Sequence, residues 1–316
     1  MNRMRFDRMY RRLLPLALAV LAVLAAACNR GGGKTARPTI ALVVKTLNNQ
    51  FFIDMETGAK AAADSLGFEL VVQAPERETD VERQMQIIEN LIQRQVRVIM
   101  LVPNGSREIV PAVAKANAAR IPVVTVDTRV DAAALQAAGA TVATFIGSDN
   151  EDGGRLAGAF LVAKLGGTAR IAVLEGVPGH ETADARLRGF RAALAMAQGM
   201  QIVASQPANM DRDQAFNVTQ NILQAHPDIT ALFACNDVMA LGALEAIAAA
   251  GKVAQVSVVG FDAQDEARKA ISEKRMAATI AQNPRAMGRM AVLAAARLIE
   301  GQTVPAEQPV PISLIK

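Results

Sequence analysis

From Thr39 onward, short runs of β-branched and aliphatic residues alternate with longer segments in which apolar residues recur every three or four positions. The runs cover residues 40–44, 70–72, 98–102, 123–126, 171–174, 202–204, 231–234 and 256–259. Between them, residues 80–94, 183–197, 211–225 and 238–249 carry the helical period. Uninterrupted apolar strands alternating with amphipathic helices predict parallel sheets covered on both faces. The expected class is α/β with doubly wound sheets. The alternation pauses over 130–140, an alanine-rich stretch read as a loop without a strand, and restarts around Ser148-Asp149. The second set runs to about Gln282, and a helix over 284–300 and a tail over 310–315 follow. A chain of 316 residues with such a restart suits two globular units.

Charge changes the picture only through its location. The formal net charge is +4, but residues 1–28 hold five arginines against Asp7, and Arg30, Lys34 and Arg37 follow directly. Residues 38–316 are left at −3, which is not the footprint of a nucleic-acid binder. The arginine-rich start, the apolar run over 13–24 and the closing Ala25-Ala26-Ala27-Cys28 predict an export signal over 1–27. That apolar run is short for a membrane span. Small residues directly before a cysteine resemble a bacterial lipobox, with Ala25 where leucine is usual, so Cys28 is expected to carry lipid. Ordinary cleavage at the same site, releasing a free protein, is the alternative. Residues 28–37, with Gly31-Gly32-Gly33, are expected to form a flexible tether. The other cysteine, Cys235, sits in an apolar run and is expected to be a small buried hydrophobe.

Candidate chemistry collects where ligands of open α/β sheets bind, outside the carboxyl ends of the strands. The first run is followed by Lys45, Asn48, Asn49, Phe51 and Phe52, and the run over 123–126 by Asp127. Asn236 and Asp237 follow 231–234, Phe261 and Asp262 follow 256–259, and Gln282 follows 278–281. Carboxylates and amides can bond neighbouring hydroxyls, and a phenyl face can cover the apolar side of a sugar ring. Taken singly, each aspartate could instead cap a helix or turn, Asn48-Asn49 could be a turn, and the phenylalanines could be core. Joint placement at strand ends is what carries the reading.

Read as continuous text, these segments resemble the type I periplasmic sugar-binding proteins, on the ribose-binding branch. The matching text is Ile40-Ala41-Leu42-Val43-Val44-Lys45-Thr46-Leu47-Asn48-Asn49-Gln50-Phe51-Phe52, Ile121-Pro122-Val123-Val124-Thr125-Val126-Asp127 and Ser148-Asp149-Asn150. It continues with Gly189-Phe190, Ser205-Gln206-Pro207-Ala208, Ala225-His226-Pro227-Asp228 and Asn236-Asp237. It ends with Met239-Ala240-Leu241-Gly242-Ala243-Leu244, Val259-Gly260-Phe261-Asp262 and Ala278-Thr279-Ile280-Ala281-Gln282. The resemblance implies two lobes, 38–148 plus 283–311 and 149–282 plus 312–316, joined by three crossings and closing on a ligand. It implies that Asn49, Asp127, Asn236, Asp262 and Gln282 bond ligand hydroxyls while Phe51 and Phe52 stack on the ring. It also implies an exported protein, in the periplasm or at the outer face of the cell membrane, anchored through the lipid on Cys28. Its partners would be a sugar or polyol and an ABC permease with its ATPase, with no cofactor, metal or nucleic acid.

Against the ribose pattern, Lys45 stands for a serine, Thr128 and Asp184 for ligand-binding arginines, Met210 for a phenylalanine and Val102 for an amide. With Lys45, Asp127, Asp184 and Asp262 in the site, anions are disfavoured, and a neutral sugar, polyol or amino-bearing ligand is expected rather than ribose itself. Arg186, two residues past Asp184, is the alternative source of positive charge. Enzyme chemistry has little support, because the only histidines are His180 and His226 and no nucleophile or metal-ligand spacing occurs. The glycines over 147–158 lack a Gly-Lys-Ser/Thr ending and read as a strand-to-helix turn capped by Asp149 or Asn150. A sugar-responsive repressor would carry a DNA-binding unit where the leader stands. A component presenting ligand to a chemoreceptor or sensor kinase is the remaining alternative to import.

Overall fold

The computed structural model describes residues 37–316, so the leader and Cys28 lie outside the described residues. Strands β1 (Thr39–Val43), β2 (Glu69–Gln73), β3 (Ile99–Leu101), β4 (Val123–Val126) and β5 (Thr144–Gly147) form one sheet, and β11 (Glu307–Pro309) joins it late in the chain. Its order is β11-β5-β4-β3-β1-β2, parallel throughout. The second sheet holds β6 (Thr168–Glu175), β7 (Gly199–Pro207), β8 (Ala231–Ala234), β9 (Ser257–Asp262), β10 (Ala278–Ala281) and β12 (Ser313–Ile315). Its order is β12-β10-β9-β8-β6-β7, with β12 the antiparallel edge.

Successive side chains of a strand point to opposite faces, so a strand between two helix layers must be apolar at every position. In β1, Ile40 and Leu42 join the cluster under α1 (Gln50–Leu66) and α10 (Pro284–Ile299). Ala41 and Val43 join the opposite cluster under α2 (Val81–Gln93) and α3 (Val110–Ala118). In the second sheet a single core runs under α5 (Asn150–Lys164), α6 (Glu181–Leu194), α7 (Arg212–Ala225), α8 (Asp237–Ala249) and α9 (Asp265–Ser272). Each valine, leucine or isoleucine side chain so buried contributes about 1.5–3 kcal/mol. Helix starts are set by short polar side chains: Asn49, Asp149, Asp211, Asn236 and Asn283 each accept a backbone N–H of the first turn.

The chain passes between the sheets three times: after β5 into α5, after β10 into α10, and between β11 and β12. The alanine-rich stretch after Val130 holds a short helix, α4 (Ala132–Ala137), instead of a loop. Strand β5 then follows, one that the apolar-run pattern does not single out because threonine opens it and glycine ends it.

Candidate functional site

Strand ends of both sheets face one small buried cavity. The first lobe contributes Lys45, Asn49, Phe51, Phe52, Glu78 and Asp127, and the second contributes Thr182, Arg186, Met210, Asn236 and Asp262. Phe51 and Phe52 open α1 and are buried, their rings edge-to-face with centroids 5.3 Å apart. Asn49 caps α1 through its Oδ1, which also accepts from Gln264 Nε2 of the second lobe at 2.8 Å. Asn236 lines the cavity while its Oδ1 caps α8. Met210 follows Asn209, both in the left-handed region (φ 58° and 53°), and its tip lies against Gly176, where a Cβ would collide with it.

Asp127 stands directly after β4 with φ 62°, a conformation that aspartate tolerates better than most residues. Its Oδ2 accepts from Thr128 Oγ1 at 2.8 Å, and its Oδ1 is buried without a partner. Thr128 thus does not line the cavity but holds the carboxylate that does. Asp262 ends β9; its Oδ1 accepts from Gln282 Nε2 at 2.9 Å and lies 3.6 Å from Arg186 Nη2. Burial outweighs Arg186 and Gln282 there and pushes the Asp262 carboxyl up to about 7. Gln282 Oε1 is a second buried acceptor without a partner. Asp237 has another job: fully buried, it accepts from Thr279 Oγ1 and Gln264 N and ties α8 to β10 and to the turn before α9. Burial, reinforced by Asp262, holds its carboxyl well above the usual range.

Besides Thr128, two more of the expected site residues lie off the cavity lining: Gln282, which bonds Asp262 from behind it, and Asp184. Asp184 sits partly exposed on α6, where burial raises its carboxyl despite Arg188 nearby. Two residues along a helix is a turn of about 200°, so Arg186 takes the inward position. Its guanidinium lies 3.8 Å above the Phe261 ring, donates to Asn150 Oδ1 at 2.8 Å and to the Cys235 carbonyl at 2.6 Å, and fixes a cation beside Asp262. Glu78, which strand-end reading missed, reaches in from the loop between β2 and α2. The same rule finds it once that loop is included, since β2 also ends at this edge. The ionisable set is therefore Lys45 and Arg186 against Asp127, Glu78 and Asp262. Burial also raises Glu78, with Lys45 opposing it.

The family model described as a periplasmic binding protein domain matches residues 40–303. The ribose import binding protein of Haemophilus influenzae is 40% identical over 305 residues, covering 96% of this chain and 99% of that protein. The ribose import binding protein of Escherichia coli is 41% identical over 280 residues, covering 89% and 91%. Among solved structures, a periplasmic solute-binding protein of an ABC transporter from Actinobacillus succinogenes, with bound D-allose, superposes with a TM-score of 0.84 at 38% identity, covering 88% of this chain and 97% of that one. Two parallel sheets crossed three times, strand ends meeting at one buried polar cavity and these likenesses agree: the chain belongs to the periplasmic binding protein domain family, on the branch that holds the ribose import binding proteins.

Proposed function

We propose that this chain is the solute-binding protein of a carbohydrate ABC importer, taking a neutral monosaccharide or related polyol between its lobes for delivery to a permease and its ATPase. It binds its ligand without transforming it. The observation that carries the reading is a buried acceptor without a partner, Asp127 Oδ1, at a cavity walled by two phenyl rings, with a second, Gln282 Oε1, on the side chain that bonds Asp262 of the same cavity. A buried acceptor left unbonded costs about 1–3 kcal/mol, which a ligand hydroxyl recovers. Two cations face three carboxyls, of which Asp262 is raised to about 7, so the site has no excess positive charge to hold an anion and suits a neutral ligand. The ribose import relatives and the D-allose-bound neighbour support a sugar. Asp127, Asp262, Arg186, Asn49, Asn236 and Gln282 are assigned to the hydroxyls, and Phe51, Phe52 and Met210 to the ring faces.

Export follows from the leader over 1–27, and lipid on Cys28 holds the protein at the outer face of a membrane, in the periplasm. Lobes 38–148 plus 283–311 and 149–282 plus 312–316 are the units that close. Calorimetric titration with D-ribose, D-allose, other aldoses, polyols, aldonic acids and sugar phosphates tests the function. A neutral sugar as the tightest ligand is expected, and a preference for phosphates or acids overturns the charge argument. Mass spectrometry of the mature N-terminus tests the anchor, which an unmodified Cys28 rules out.

A further inference from the structure

Lys45 is only 2% exposed, yet its ammonium bonds directly to neither carboxylate beside it: Glu78 Oε2 is 3.9 Å away and Asp127 Oδ2 is 4.0 Å away. Such gaps exceed hydrogen-bond length, roughly 2.7–3.2 Å between nitrogen and oxygen. A buried ammonium with unused donors is costly, as is a buried carboxylate oxygen with no donor. Each gap has the length that one hydroxyl oxygen spans when it sits about 2.8 Å from both sides. A hydroxyl can accept from the ammonium and donate to a carboxylate at the same moment.

We infer that Glu78 is a specificity-determining residue of the sugar site, and that Lys45, Glu78 and Asp127 together recognise two hydroxyls on adjacent carbons. Each hydroxyl accepts an N–H from Lys45; one donates to Glu78 Oε2 and the other to Asp127. Glu78 is placed for this, its side chain 9% exposed and its other oxygen held by Asn49 Nδ2 at 3.4 Å. Asp127 faces its gap through Oδ2, which accepts from Thr128 and has a second lone pair, while Oδ1 beside it has no partner. A counter-ion alone would close on Lys45 to bonding distance, whereas both carboxylates stand off by the width of one oxygen. The inference rests on the sugar-binding reading and adds which ligand feature is read.

The test pairs deletions in the protein with deletions in the ligand, because groups in direct contact give non-additive losses. D-ribose, D-allose and their single-deoxy analogues are titrated into wild type, Glu78→Gln and Glu78→Ala, with a melting curve for each protein. In wild type, removing one hydroxyl of the bridged pair should weaken binding by roughly 10- to 100-fold, the worth of a bond to a charged group. Glu78→Gln and Glu78→Ala should bind the parent sugar weaker by a similar factor. Each should then barely distinguish it from the deoxy analogue that lacks the Glu78-bound hydroxyl. Variants that melt lower but keep the affinity and deoxy pattern of wild type overturn the assignment and make Glu78 a counter-ion only. If Glu78→Ala fails to fold, the isosteric Glu78→Gln decides. If another neutral sugar of the titration series binds more tightly, its deoxy analogues are used instead; wild type that binds no neutral sugar or polyol of that series overturns the parent reading, an outcome distinct from failure of the variants alone.

Discussion

At the scale of single residues, the site is built from carboxyls whose burial is only partly compensated. Asp127 shows this most simply, with one oxygen bonded by Thr128 and one left free. Asp127→Asn keeps the shape and removes the charge, so ligand affinity should fall roughly 10- to 150-fold with little change in melting temperature. A melting drop at unchanged affinity, measured by calorimetry beside thermal unfolding, would return Asp127 to a purely structural part. Two other buried groups pull stability in opposite directions as pH changes. Asp262, raised from 3.8 to about 7, keeps in the native state a proton that the unfolded chain has released, so its contribution falls as pH rises from about 4 to 7. His180, lowered from 6.5 to about 3 by burial and then by Lys45, refuses a proton that the unfolded chain accepts. Its contribution therefore rises with pH between about 3 and 6.5 and is complete above that window. Between pH 7.5 and 5, His180→Asn should gain on wild type by about 2 kcal/mol, since each pH unit inside the window is worth about 1.4 kcal/mol. Denaturant unfolding at the two pH values measures this, and a constant difference would show that His180 titrates normally.

At the scale of elements, glycines let helices approach closely enough to aim Arg186. A Cβ on Gly154 of α5 would overlap the Arg186 carbonyl, and one on Gly189 of α6 would overlap the Glu151 carbonyl. Gly154→Ala gains about 1 kcal/mol of helix propensity but must push two backbones apart, and overpacking typically costs about 1–3 kcal/mol. The expected result is net destabilisation and weaker ligand binding, because α6 carries Arg186. A more stable Gly154→Ala protein in urea unfolding would mean that propensity outweighs packing. The same helix shows where sequence reading stopped short. Strand ends gave Asp127, Asn236 and Asp262 without structure, because a parallel strand ends where its apolar run ends. A helix needs phase as well as position, and text matching chose Asp184, which lies about 200° around α6 from Arg186. The period was there to be used: Thr182, Ala183, Ala185, Arg186, Gly189 and Phe190 are the buried face, and Asp184 and Arg188 lie off it. Glu78 escaped notice on a charged loop, 76–80, that reads as solvated surface until the second lobe packs over it. Strand β5 escaped because Thr144 and Gly147 flank only two apolar residues.

For the whole molecule, length, the repeated alternation and its restart at Ser148 were enough to expect two globular units, and the family resemblance made them two lobes. What local pattern could not supply was how the lobes meet, because those contacts join residues far apart in the chain. Away from the crossings, two side-chain hydrogen bonds join them: Gln264 Nε2 donates to Asn49 Oδ1 at 2.8 Å, and Glu181 N donates to Ser106 Oγ at 3.3 Å. Both lie where the lobes touch, and Gln264 itself does not line the cavity. If ligand binds only when the lobes are closed, its apparent affinity scales with the closed fraction. A neutral hydrogen bond contributes about 0.5–1.5 kcal/mol, so losing this one should cut a minor closed population roughly 2- to 10-fold. Gln264→Ala should therefore weaken sugar binding by that factor although Gln264 lies off the cavity lining, chiefly through faster release. Small-angle scattering supplies the independent readout. Wild type should contract on saturation with ligand, and Gln264→Ala should reach the same contracted radius of gyration only at higher ligand concentration. If the variant binds as wild type does and both keep one radius with or without ligand, the lobes do not move on binding. The crossing bonds would then belong to a fixed interface, and affinity would have to be set wholly inside the cavity.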